Sequence, residues 1–175
     1  MRCTALLLFL VFSTAASAQE DAPPELAFDR PGIGFAASTL PRGGVALEAG
    51  LPSFSRDRDA DGVLSTQYSA DLALRIGVAS HVELQAFTSP WNHLRVAPRD
   101  APAARSRGAG DLGIGLKVAL PLPSDSHAVA LLATTTFATG SRDFSEGATQ
   151  YALGASYEYE VSDRWTGALY ANVTR

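Results

Sequence analysis

The chain has 175 residues, a formal net charge of −4, and 46% hydrophobic against 18% charged residues, enough for one packed core or one small barrel. Scattered charges of both signs on an acidic chain exclude the clustered basic footprint of a nucleic-acid binder. The only cysteine, Cys3, excludes a disulfide framework.

The first residues read as an export signal. Arg2 supplies the positive start, Ala5 to Phe12 the apolar run, and Ala16-Ser17-Ala18 the small-residue cleavage site, with cutting expected after Ala18. The run is too short for a membrane-spanning helix, and Cys3 lies before it, which removes the lipoprotein reading. Loss of residues 1–18 takes Arg2 with it and lowers the net charge to −5. Residues 19–42, with Pro23, Pro24, Pro31, Gly32 and Pro41, read as an irregular leader or short plug with a turn at Asp29-Arg30-Pro31-Gly32.

From residue 43 to 175 the dominant pattern is alternation with period two, which predicts strands. It is clearest at 68–78, where Tyr68, Ala70, Leu72, Leu74, Ile76 and Val78 interleave with Ser69, Asp71, Ala73, Arg75 and Gly77. It recurs at 111–120 and 151–161, and more weakly at 44–51, 82–89, 128–139 and 165–174, giving about seven strands. No later stretch holds enough apolar residues for a transmembrane helix, so a membrane location requires strands. The links alternate long (52–65, 90–108, 140–149) and short (79–81, 121–127, 162–164), as in transmembrane barrels with short periplasmic turns and longer outer loops. The expected fold is all-β: an antiparallel up-and-down transmembrane β-barrel in the bacterial outer membrane.

Solvation then decides the faces. Hydrocarbon cannot solvate the charged set, so the apolar rows face lipid and the polar rows face the lumen. The lumen-lining candidates are Glu48, Asp71, Arg75, Glu83, Gln85, Lys117, Glu158, Glu160, Tyr170 and Asn172. Tyr68, Trp91, Tyr151, Tyr159 and Trp165 lie near predicted strand ends, where aromatic girdles meet the two interfaces. An odd strand number is unexpected for a single-chain barrel, so the barrel is expected to be incomplete here, or a strand near 33–38 (Ile33, Phe35) is hidden.

Other motifs carry no chemistry. Asp57-Arg58-Asp59-Ala60-Asp61-Gly62 opens like a calcium loop, but the twelfth position is Tyr68 and Arg58 sits among the ligands, so a solvated hairpin loop is expected. His81, His93 and His127 fall in predicted links without metal spacing, and no serine sits in a nucleophile elbow. The glycines at 108, 110, 113 and 115 lack the following helix of a phosphate loop. Neither a catalytic site nor a metal or cofactor is expected.

Three segments carry a resemblance: Asp29-Arg30-Pro31-Gly32, Ser38-Thr39-Leu40-Pro41-x-Gly43, and the strand Val45-Ala46-Leu47-Glu48-Ala49-Gly50. Ser89-Pro90-Trp91, Gly108-x-Gly110-Asp111-Leu112-x-x-Gly115-x-Lys117 and Ala138-Thr139-Gly140-Ser141 extend it over about 29–170. The chain resembles the outer-membrane family named for the meta-pathway of phenol degradation, whose members are often labelled transporters. The resemblance implies a porin-like barrel aiding uptake of small aromatic or hydrophobic compounds, and longer relatives with further strands. It brings no catalytic residues. The expected partners are outer-membrane lipid, small organic solutes and the barrel-assembly machinery. The rival readings are a structural or ligand-binding barrel with a filled interior, and a periplasmic β-sandwich binding module.

Overall fold

The structure is a computed structural model that describes residue 29 and residues 34–124, 126–162 and 164–175. The signal peptide expected at 1–18, most of the leader and Ile33 lie outside the described residues. No helix occurs among those described, and the strands form one antiparallel sheet curled into a half-barrel. They are β1 (Val45–Ala49), β2 (Ser53–Arg58), β3 (Leu64–Ala79), β4 (Val82–Ala97), β5 (Ala104–Gly108), β6 (Leu112–Leu120), β7 (His127–Phe137), β8 (Gln150–Ser162) and β9 (Trp165–Thr174).

The spatial order is β1-β3-β4-β6-β7-β8-β9, while β2 pairs with β3 beside β1, and β5 pairs with β4 beside β6. The chain therefore fills seven ribbon positions, two of them by interrupted strands. Gly50-Leu51-Pro52 separates β1 from β2, and a proline without an N–H cannot continue the ladder. Ala109-Gly110-Asp111 separates β5 from β6.

These breaks line up across the sheet. The Gly50 N–H donates to the Asp71 carbonyl at 2.9 Å, and the Gly110 N–H to the Ser89 carbonyl at 2.8 Å. Between them the β3–β4 register shifts between Ala70 and Leu72, where Ser89 and Pro90 of β4 oppose Asp71 alone. A bulge of this kind bends and twists a sheet. Beyond this seam β2, upper β3, upper β4 and β5 continue as a four-stranded blade.

The blade is where the expected links need correction. Residues 52–65 and 90–108 are not long loops: they form β2, β5 and the upper parts of β3 and β4, leaving connections only at 59–63 and 98–103. At 16 residues each, β3 and β4 are longer than the roughly 9–11 residues of a tilted bilayer-crossing strand. Residues 34–38 form no strand, which removes the hidden-strand alternative for its described part. Asp57 and Arg58 belong to β2, and Asp59 folds onto its own hairpin by accepting the Val63 N–H at 2.9 Å, as the solvated-loop reading expects. His93 and His127 lie in strands instead of links.

The alternation predicted for the apolar rows holds in space. Leu47 is 68% exposed, Leu84 47%, Ile114 49% and Leu153 53%, all on the convex face, whereas Ala73, Arg75, Glu83, Lys117 and Ser156 are buried on the concave face. Among the described residues one sheet carries every strand, so no second layer there covers these residues as a β-sandwich would demand.

Candidate functional site

The concave face of β1, β3, β4 and β6 brings together Glu48, Arg75, Glu83, Gln85 and Lys117. Alternation puts them all on the same side as Ala46 and Ala73, and the register sets Arg75 opposite both Ala46 and Gln85. Arg75 is the hub. Its Nε and Nη2 donate to the two carboxylate oxygens of Glu83 at 2.7 and 2.9 Å, and its Nη1 to Glu48 Oε1 at 2.5 Å. The planar guanidinium suits this fork, which a lysine could not reproduce. Gln85 Nε2 donates to Glu83 Oε1 at 2.7 Å, filling the next position on that carboxylate.

The leader completes the cluster. Asp29 accepts from Lys117 Nζ at 3.0 Å and from Gln85 Nε2 at 3.1 Å, and lies 3.5 Å from Arg75 Nε. The Leu40 N–H donates to Glu83 Oε2 and the Ala37 N–H to Glu158 Oε1, each at 2.9 Å. Phe35 rests under Lys117, whose Nζ is 5.4 Å from the ring centre, and meets Tyr170 edge-to-face at 5.6 Å. The described part of the leader is thus a plug seated by barrel carboxylates. Arg75 and Glu83 are 1% and 0% exposed, and burial of such charges is tolerable only because each has a partner of opposite sign.

Above the plug lies a cavity of about 270 Å³ walled by Phe35, Phe87, Leu132 and Tyr170, with Arg75 and Gln85 at its polar side. A second cavity of about 490 Å³ opens toward the hairpin end between Asp71, Asn92, Asp111, Asp143 and Glu146. Phe87 lines both, and its ring lies over Gly113, where a side chain would collide with it. Phe87 is the partition between an acidic mouth and an amphipathic inner chamber.

Asp111 organises the mouth. It accepts the Gly140 N–H at 2.7 Å and the Glu146 N–H at 3.0 Å, fastening the 138–149 connection to the start of β6. Burial works against its charge, but these N–H groups and the Ser145 hydroxyl prevail and hold its carboxyl below the usual carboxylate range.

Asp71 lines the mouth and bonds the Ser89 hydroxyl. Glu158 holds the leader, whereas Glu160 is exposed toward the opposite end. Tyr170 packs on Phe35, and Asn172, opposite Gly154, is exposed on β9. Of the girdle residues, Tyr68 and Tyr151 stand toward the hairpin end, and Tyr159 and Trp165 at the other. Trp91 is within β4, not at its end, because that strand continues to Ala97. Sequence reasoning missed Asp29, Phe35, Phe87, Asn92 and Asp111. Two of them carried a signal: Phe87, its odd position alternating with Ala86 and Thr88 beside Gln85, and Asp111, which opens the polar row that continues to Lys117.

No curated protein and no solved structure matched the chain. A family model described as "Putative MetA-pathway of phenol degradation" matches residues 28–175, from the edge of the plug through the last strand. The chain belongs to that phenol-degradation family, and its half-barrel fits an outer-membrane barrel.

Proposed function

We propose that the protein is an exported outer-membrane barrel, inserted by the barrel-assembly machinery and surrounded by lipid, that passes small organic solutes along its concave face. Aromatic and hydrophobic compounds fit the inner chamber. It acts without catalysis or cofactor. The observation that carries the reading is the pair of cavities meeting at Phe87, because a solute entering the polar mouth meets that ring first and then an aromatic chamber closed by the plug residue Phe35. Inside, Arg75, Lys117 and their carboxylates shape which solutes move on.

Liposome swelling or planar-bilayer conductance with the full-length protein tests this. Small neutral solutes should permeate, and Phe87→Ala should quicken them. A tight barrel in both forms would contradict the channel. One observation favours a second reading, a structural or ligand-binding barrel with a filled interior: the plug and the Arg75 cluster occupy the lower lumen. That reading predicts membrane insertion without conductance.

A further inference from the structure

The blade sorts its charges by face. Across β2, β3, β4 and β5 one row aligns Phe54, Tyr68, His93 and Arg107, and the next aligns Arg56, Thr66, Arg95 and Arg105. Arg58 follows opposite Leu64. Alternation along β3 puts these rows on the same face as Leu72, Leu74 and Ile76, the convex one, while Ser69 and Asp71 turn to the mouth. Ring contacts agree, since Phe54 and Tyr68 lie 5.0 Å apart and Tyr68 and His93 are stacked at 6.4 Å. All five arginines of the blade strands, Arg56, Arg58, Arg95, Arg105 and Arg107, therefore share the outer face. Among the described residues no carboxylate forms an ion pair with any of them. Arg95 and Arg105 are direct cross-strand neighbours, an arrangement that repulsion disfavours unless an anion lies between.

Their height is the second observation. Tyr68 is ten residues from Val78, the last outward residue of the apolar row. Ten residues span about 33 Å of strand, or about 25 Å along the axis at a tilt near 40°, which matches the apolar band of outer-membrane barrels. The Phe54-Tyr68-His93 row then falls at the interface, and the arginine row about 5 Å beyond it, inside the headgroup layer.

We infer that the outer face of the blade binds the phosphate-bearing headgroups of the lipids packed beside the barrel at its hairpin end. The inference rests on the membrane reading above. Five guanidinium forks present paired donors to phosphate oxygens, and the aromatic row beneath them packs on the acyl boundary. The bound lipid relieves the repulsion between Arg95 and Arg105 and fixes the blade at one depth.

The test uses the full chain carrying Trp165→Phe in phosphatidylcholine vesicles with and without lipid A, a doubly phosphorylated glycolipid, read by fluorescence of the remaining Trp91, two rows below Arg95. Lipid A should be enriched around the native chain, and less so at high salt. Arg56→Gln, Arg95→Gln and Arg105→Gln should each weaken that enrichment about five-fold, whereas the corresponding lysine variants should keep most of it. Unchanged enrichment in the triple glutamine variant would overturn the proposal, and so would equal affinity for dephosphorylated lipid A or for a soluble phosphorylated polysaccharide. A chain that enters neither vesicle would refute the membrane reading itself, while entry without lipid A preference refutes only the arginine face.

Discussion

Arg75 and Arg95 belong to the same β3–β4 hairpin and live by opposite rules. Arg75 points into the half-barrel, is 1% exposed, and has Glu48, Glu83 and Asp29 around it. Arg95 points outward from the blade, faces Arg105 across the ladder, and has no carboxylate partner among the described residues. A buried cation must bring its counter-charge within the protein, because desolvation is otherwise prohibitive. A cation at the level of headgroups can take its counter-charge from the lipid. On the lipid-binding proposal, the difference separates charges that hold the fold from charges that address its surroundings.

The comparison breaks most sharply at Arg75. Arg75→Met should cost about 3–5 kcal/mol by stranding buried Glu48 and Glu83, read as a lower urea midpoint of the micelle-folded protein, while Arg95→Met should leave that midpoint nearly unchanged. If both variants behaved alike, the inner and outer arginines would not differ in kind. On the convex face, Leu116→Lys should lose about 2–4 kcal/mol as a midplane cation, and Thr66→Lys, at blade height, only the smaller repulsion from its cross-strand neighbours Arg56 and Arg95, about 0.2–1 kcal/mol each. Equal losses would mean that no lipid boundary lies between them.

The leader sharpens the inner side. Asp29→Asn weakens a charge-assisted contact to Lys117 and should cost about 1.5–3 kcal/mol of plug seating, seen as faster protease cleavage near residue 34 and as raised solute flux. A plug equally protected in the variant would show that Phe35 and the backbone bonds of Ala37 and Leu40 suffice.

The smallest effect belongs to the mouth. Because the Asp111 carboxyl is held below its ordinary range in the folded chain, its contribution is present above the unfolded value of about 3.9 and fades as pH falls through the lower folded value. Protease access to the 138–149 connection should rise in that acidic window and be independent of pH there in Asp111→Asn.

Legibility in the sequence followed the solvent on each side of a strand. Where one face is apolar and the other charged or small, as from Tyr68 to Val78, alternation is unmistakable and the register is fixed. In the blade, both faces carry polar residues: Ser53-Phe54-Ser55-Arg56-Asp57-Arg58 and Ala104-Arg105-Ser106-Arg107-Gly108 look like loops, yet pairing with β3 and β4 makes them strands. The Arg75 cluster was visible as a row of inward charges, but not its centre. Asp29 and Phe35 sit in a segment without periodicity, and only the curl of the sheet brings them to Lys117.

Depth-resolved quenching of single-cysteine labels measures the boundary itself. With mid-chain brominated lipids, labels at Leu84, Leu116 and Leu131 should be strongly quenched, those at Gly115 and Ser156 spared, and one at Arg95 quenched only by headgroup-attached quenchers. Strong quenching at Gly115 and Ser156 with Leu84 and Leu116 spared would invert the barrel's faces and contradict the account.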